Sequence, residues 1–312
     1  MNKTRGKLHW HEWLTPIGLL LLPLVALQFF SQTGRAELKI LFEGDSPYHY
    51  VRVTEEHPYR YLAFDRTRGN QSVINLENPD ELKFAYSKAM FISLGYLDQL
   101  PGRVLIVGLG GGTIPRIMAE YLPHVVMDIA EIDPMVVKVA EEYFSFSPTN
   151  EQHVHIQDGR MFLRRTREKY DLIILDAFNS NSIPFHLTTQ EFFAIVKNRL
   201  TPNGVVASNL WSPSGDQFHY AHLKTLQTVF PQVYSFQAVG SGNYVVISTM
   251  NREVFTQEQI SERVHQVLKK INMPLDVDEF LETFRNLTDE EINSDVLTDD
   301  FAPVDVLRAQ EY

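Results

Sequence analysis

Five consecutive residues, Gly108-Leu109-Gly110-Gly111-Gly112, follow an all-apolar run, Val104-Leu105-Ile106-Val107, and precede a stretch with helical spacing. Glycines in such a turn let the chain reverse sharply and let a ligand come up against the backbone, where a side chain would otherwise stand. A dinucleotide fingerprint would want its third glycine where Thr113 stands, so this G-x-G-x-G turn fits an adenosyl ligand better. Three acidic residues then fall where a nucleoside site can use them. Glu131 ends the second strand, 19 residues after Gly112. A carboxylate there can accept from both ribose hydroxyls, which would otherwise lose water without gaining a partner. Asp158, followed by Gly159, comes after the third strand and can accept from an adenine amino group. Asp176 ends the fourth, at the carboxyl edge where open sheets take their ligands.

Elements must deliver these strand ends to one edge, and the chain from Arg103 onward has the required pattern. Apolar runs at 104–107, 125–129, 154–156, 170–175 and 204–209 alternate with helical spacing at 114–121, 134–144, 160–167, 189–200 and 217–230, and further strands fall around 233–236 and 244–248. Such alternation predicts an α/β fold, a Rossmann-like parallel sheet with helices on both faces. Thr189 is placed to cap its helix. Upstream, Leu82, Tyr86, Ala89, Met90 and Ser93 predict a helix over 79–97, with Asp80 and Glu81 suited to its N-terminus. Between 38 and 64, short apolar and aromatic runs are broken by Gly44-Asp45-Ser46-Pro47 and His57-Pro58, which predicts hairpins in a small antiparallel β-domain. The tail from Thr256 is polar with helical spacing.

The 28 Lys plus Arg against 39 Asp plus Glu give a formal charge of −11 over 312 residues, which argues against nucleic acid as a partner. Without cysteine the chain has no disulfide framework, thiolate metal site, Fe–S cluster or cysteine nucleophile. His9 with His11 lacks a carboxylate partner and His219 with His222 lacks the H-E-x-x-H arrangement, so no metal is expected. Neither a G-x-S-x-G elbow nor a P-loop lysine occurs. One stretch departs from the ordinary globular average: no charged residue lies between Trp13 and Gly34. As a helix it would span roughly 33 Å, about one hydrocarbon core. Flanking Trp10, Trp13, Phe29 and Phe30 favour a membrane anchor. A cleaved signal peptide, suggested by Lys3, Arg5 and Lys7 ahead of the apolar run, and a buried core helix are the alternatives. The charge bias mildly places the N-terminus in the cytoplasm and the main domain outside. The expected organisation is an N-terminal hydrophobic helix, anchor or signal, over 1–34, a β-domain over 35–78, an adenosyl-binding catalytic domain over 79–250 and a helical tail over 251–312. Localisation is accordingly expected at a membrane through a single N-terminal segment.

Over residues 38–248 the chain resembles the polyamine synthase family, the spermidine and spermine synthases. The resemblance rests on Val104-Leu105-Ile106-Val107-Gly108 with its glycine loop, Glu131-Ile132-Asp133-Pro134, Asp158-Gly159 and Tyr170-Asp171-Leu172-Ile173-Ile174-Leu175-Asp176. It extends upstream to Asp80-Glu81-Leu82-Lys83-Phe84-Ala85-Tyr86. It implies the S-adenosylmethionine-dependent methyltransferase type of sheet, decarboxylated S-adenosylmethionine as aminopropyl donor, a diamine such as putrescine as acceptor, and no prosthetic group. Gly108, Gly110, Gly112, Glu131, Asp158 and Gly159 would take the adenosyl group. Asp176 would deprotonate or steer the amine, with Tyr86 as its hydrogen-bonding neighbour.

Departures from the family pattern concentrate where the amines bind. An Asp usual in the glycine loop, where it approaches the donor's amine, is here Gly111. The second of two aspartates three apart is Asn179, a usual Gln in the β-domain is His49, and the usual Tyr-Gln pair is Tyr86-Ser87. Asp299 and Asp300, in an acidic turn near the C-terminus, are candidates to compensate on the acceptor side. Three readings stay open: an aminopropyltransferase, an S-adenosylmethionine-dependent methyltransferase on the same scaffold, and a catalytically weak membrane protein binding a nucleoside or polyamine. A homodimer is left open.

Overall fold

The computed structural model describes residues 38–66, 69–177, 183–212, 217–301 and 303. The chain divides into a unit of residues 1–37 and a unit of residues 38–312, and the description concerns the second. Two sheets build it. The smaller contains β1 (Lys39–Asp45), β2 (Tyr50–Glu56), β3 (Tyr59–Ala63) and β4 (Asn70–Asn75), antiparallel in that order. Its apolar face carries Val51, Val53, Leu62 and Ile74, which pack with Val136, Val139 and Phe144. Period-two alternation along β2 hides Val51 and Val53 and leaves Arg52 at the margin, as a half-covered sheet requires.

The larger sheet contains β5 (Arg103–Val107), β6 (Val126–Glu131), β7 (Gln152–Ile156), β8 (Tyr170–Leu175), β9 (Leu200–Trp211), β10 (Gln232–Gln237), β11 (Asn243–Thr249) and β12 (Arg285–Asn286). Their spatial order is β12-β10-β11-β9-β8-β5-β6-β7. β5 to β9 run parallel, while β10, β11 and β12 are antiparallel additions. Order reverses at β5, which has β6 on one side and β8 on the other. A crevice therefore opens at the carboxyl ends of β5 and β8, where an open α/β sheet binds its ligand. The connecting helices are α2 (Thr113–Tyr121), α3 (Pro134–Tyr143), α4 (Gly159–Arg165), α5 (Gln190–Lys197) and α6 (Gln217–Val229), preceded by α1 (Ala85–Ala89) and followed by α7 (Gln257–Lys270) and α8 (Asp278–Leu281). Alternate strand residues feed opposite cores: Val104, Ile106, Leu172 and Ile174 on one face, Leu105, Val107, Ile173 and Val206 on the other.

Two expectations are corrected. The helix expected over 79–97 is shorter, with α1 starting at Ala85 and a 3-10 helix, Met90–Tyr96, completing it. Asp80 and Glu81 are drawn away from any capping role: Asp80 accepts from Arg116 at 2.6 Å and Glu81 from Asn75 at 2.6 Å. Those bonds fasten the segment to α2 and β4 instead. Membrane localisation is also corrected. Among the described residues no helix is long and apolar enough to cross a membrane. The 14-residue α7 falls short of the roughly 20 apolar residues a span needs. The apolar stretch at 13–34, with the N-terminal hydrophobic helix expected there, lies outside the described residues.

Candidate active site

Gly108 opens the loop after β5 with φ +94°, and a Cβ there would come 2.4 Å from the carbonyl oxygen of Asp176. Gly110 and Gly112 also have positive φ, +54° and +73°, and Gly112 lies against the Phe146 ring. The loop is thus left-handed at three points and pressed onto β8 and the chain after α3, which L side chains would oppose. Ser72 of β4 reaches it from the small sheet, its Oγ accepting from the Gly111 N–H at 2.8 Å. Gly108→Ala is expected to lower thermal stability, by about 2 kcal/mol or more, because the backbone conformation and the Asp176 carbonyl both oppose the methyl group. Calorimetric unfolding of the variant, with adenosyl binding measured in parallel, checks this; an unchanged melting temperature would count against the packed loop.

Glu131 is buried and spans the loop and the next helix start. Its Oε2 accepts from the Leu109 N–H and its Oε1 from the Asp133 N–H, each at 2.9 Å. Burial pushes its carboxyl above the ordinary value, against those two donors and the nearby His49. Each oxygen keeps a second lone pair for another donor. Asp133 caps α3 through Met135 N–H and also receives Ser46 Oγ at 2.5 Å, while His49 Nδ1 lies 3.2 Å away. His49 stacks on Phe64, ring centroids 4.3 Å apart. It ties the β1–β2 connection to the start of α3.

Asp158 caps α4, its Oδ1 accepting from Met161 N–H at 2.9 Å, and His186 Nε2 lies 2.8 Å from its Oδ2. Burial works to raise Asp158, but the His186 and Met161 hydrogen bonds outweigh it and hold the carboxyl below its usual range. Gly159 is required by close approach, since a Cβ would sit 2.3 Å from Val107 Cγ1 at the end of β5.

Asp176 follows β8, its N–H donating to Val107 O at 2.9 Å. Asn209 Nδ2 donates to its Oδ1 at 2.9 Å, and Asn243 Nδ2 donates in turn to Asn209 Oδ1 at 2.8 Å. The Tyr86 hydroxyl neighbours the same carboxyl and pulls its titration down. Burial raises the Asp176 carboxyl to about 7, although Asn209 and Tyr86 both pull it down. Burial and the Asp176 charge push the Tyr86 hydroxyl well above its ordinary value, so it stays a donor. A carboxylate poised near neutrality is suited to exchanging a proton with an amine.

The fold therefore brings together the glycine loop, Glu131, Asp176 and Tyr86, with Asp158 and Gly159 at the end of the neighbouring β7. Asp299 is taken up elsewhere: Arg160 forks onto it at 2.7 and 2.5 Å and Thr189 Oγ1 donates at 2.7 Å. Asp300 is exposed in the turn between Thr298 and Phe301. Asn179 lies outside the described residues. Sequence reasoning missed Asn209 and Asn243; the available signal was the polar pair Ser208-Asn209, buried at the end of an apolar strand.

This is the Rossmann-like, methyltransferase-type class of α/β fold, carrying an N-terminal antiparallel sheet. Residues 83–240 match the spermine/spermidine synthase domain. The polyamine aminopropyltransferase of Vibrio vulnificus is 32% identical over 305 residues, 95% of this chain and 99% of that protein. The chain belongs to the spermine/spermidine synthase family. Among solved structures, spermidine synthase from Thermotoga maritima superposes with a TM-score of 0.63 at 19% identity, covering 79% of this chain and 84% of that one. Human methyltransferase-like protein 13 in complex with SAH gives a TM-score of 0.56 at 28% identity, covering 61% of this chain and 93% of that one.

Proposed function

We propose that this chain is a transferase that moves an aminopropyl group from decarboxylated S-adenosylmethionine, bound as co-substrate, to a diamine such as putrescine. The observation that carries the reading is Asp176, half-buried between Tyr86 and Asn209 at the carboxyl end of β8 and raised to about 7 beside the glycine loop. In this reading residues 35–78 form a β-domain, 79–250 the adenosyl-binding catalytic domain and 251–312 a tail. Glu131 receives the ribose hydroxyls, Asp158 the adenine amine, and Gly108, Gly110, Gly112 and Gly159 leave room for the nucleoside. Asp176 attracts the acceptor ammonium and takes one proton from it. The neutral nitrogen then attacks the carbon beside the sulfonium: a C–N bond forms, the C–S bond breaks, and its electron pair stays on sulfur in 5′-methylthioadenosine. The new nitrogen remains a secondary ammonium, and the proton held by Asp176 passes to solvent, which restores the carboxylate. Desolvation and alignment supply much of the acceleration, because neither partner needs covalent activation by the protein.

Tyr86→Phe tests the Asp176 environment. Its hydroxyl lowers the Asp176 carboxyl, so removing it moves that group's titration above 7. The base must be ionised, so the acid limb of the kcat/KM profile is expected near pH 7 in the wild type and at higher pH in Tyr86→Phe. Titration of the acceptor amine is common to both and cancels in the comparison. An unmoved limb would remove Asp176 as the titrating group.

A second reading, methyl transfer from S-adenosylmethionine, is favoured by Gly111, which presents no side chain and whose N–H is occupied by Ser72. The likeness to human methyltransferase-like protein 13 points the same way. Calorimetry with decarboxylated against ordinary S-adenosylmethionine, followed by turnover on a panel of diamines, separates them. Absence of turnover with every diamine would end the aminopropyl reading.

A further inference from the structure

His186 takes no part in the scheme above, yet its ring nitrogen and its carbonyl both engage the start of α4, the nucleoside side of the crevice in that scheme. It lies in a 3-10 turn, Phe185–Leu187, and its ring Nε2 is 2.8 Å from Asp158 Oδ2. Because Met161 N–H holds Oδ1 at 2.9 Å, both oxygens of Asp158 are occupied and the carboxylate is fixed in rotation. The His186 main chain is fastened to the same helix start, its carbonyl accepting from Arg160 Nη1 at 3.0 Å. Arg160 is itself held by the fork onto Asp299, and Asp299 is braced by Thr189 and by its own N–H donating to Glu191 Oε2 at 2.9 Å. The chain that follows β8 is thereby clamped to the chain that follows β7, through one residue used twice.

We propose that His186 is a positioning residue for the donor's adenine, turning the Asp158 carboxylate so that it accepts from an exocyclic amine and discriminates against a purine with oxygen at that place. The inference rests on the assignment of Asp158 to adenine made above. A carboxylate offers only acceptors, and each oxygen keeps one lone pair after its protein bond. An amino group can therefore be received without breaking either bond. A 6-oxo base would instead set a lone pair against a lone pair, unless the carboxyl picked up a proton to donate. Asp158 resists that proton, because the Nε2–H of His186 and the Met161 N–H both favour its charged form. The partner being an ionised carboxylate, the His186 proton belongs on Nε2. Without the imidazole the carboxylate regains rotation and loses a charge-stabilising donor, so both affinity and base selectivity should fall together.

Calorimetry of 5′-methylthioadenosine and its 6-oxo counterpart, 5′-methylthioinosine, on the full chain tests this, because both carry the same ribose and thioether. His186→Ala is expected to weaken the adenine ligand roughly tenfold, the worth of one partly exposed hydrogen bond to a charge, and to narrow the ratio between the two ligands. His186→Gln should restore both, since its amide nitrogen reaches about as far as Nε2; His186→Asn, one methylene shorter, should not. Unchanged affinities in His186→Ala would overturn the proposal. So would an equal weakening of both ligands, or a Gln variant no better than Asn, since either would make His186 a packing residue. If the wild type binds neither nucleoside, the assignment of Asp158 and the proposed function fall with it, a result distinct from the other three.

Discussion

Asp176→Asn is expected to cut turnover by roughly 100-fold or more while leaving donor affinity nearly intact, the usual consequence of losing a general base. The substitution is nearly isosteric and preserves the local network. Its carbonyl can still accept from Asn209 Nδ2, and Tyr86 can turn its hydroxyl to accept from the new amide. Loss of activity would therefore report chemistry rather than collapse. Stability should move the other way. The folded carboxyl titrates near 7, above its ordinary 3.8, so its contribution is fully present below 3.8 and is lost as pH rises through 7. Asparagine does not titrate. The variant should melt at higher temperature than the wild type at pH 8 and show no such advantage at pH 4. Activity lost with stability gained is what a desolvated functional charge predicts. Steady-state kinetics and calorimetry at both pH values check the pair of outcomes, and a variant turning over at the wild-type rate would remove Asp176 from the mechanism. A small loss with a neutral nucleophile would favour methyl transfer.

Why Asp176 was visible in the sequence, while the amides that hold it were not, follows from how each is specified. The parallel strands are buried on both faces, so 170–175 reads as a nearly continuous apolar run ending in a carboxylate. Gly108, Gly110 and Gly112 are equally local, because backbone conformation alone selects them. Asn209 and Asn243 meet only because β9 and β11 pair antiparallel, and residues 34 apart leave no spacing signal. Arg160 and Asp299 are 139 residues apart, so the acidic turn looked available when it is engaged. Asp80 and Glu81 show the opposite failure: their local logic as acids that complement a helix N-terminus was sound, and tertiary partners, Arg116 and Asn75, overrode it. β12 went unread because it is two residues long and carries its strand character only through pairing with β10. Periodicity needs more length than that to register.

Glu131→Gln is expected to weaken adenosyl-ligand binding by a factor of about 30 to 1,000, the equivalent of roughly 2–4 kcal/mol. The reason lies in how fully the carboxylate is used. Leu109 N–H and Asp133 N–H occupy one lone pair on each oxygen, and in the proposed function the ribose hydroxyls occupy the others. Glutamine has one acceptor oxygen, so whichever way its amide turns, an NH2 group faces a backbone N–H and one hydroxyl loses its acceptor. Desolvation sharpens the effect, because Glu131 is only 6% exposed and water cannot stand in for the missing partner. Glu131→Ala removes the clash but leaves both backbone donors and both hydroxyls without protein acceptors, so it should bind no better than the glutamine variant. Calorimetry with 5′-methylthioadenosine, alongside far-UV circular dichroism to confirm folding, measures both. Nucleoside affinity unchanged in a folded Glu131→Gln variant would move the ribose away from this carboxylate. Loss in both variants, with the small-sheet contact between Ser72 and Gly111 left untouched, would fix it there.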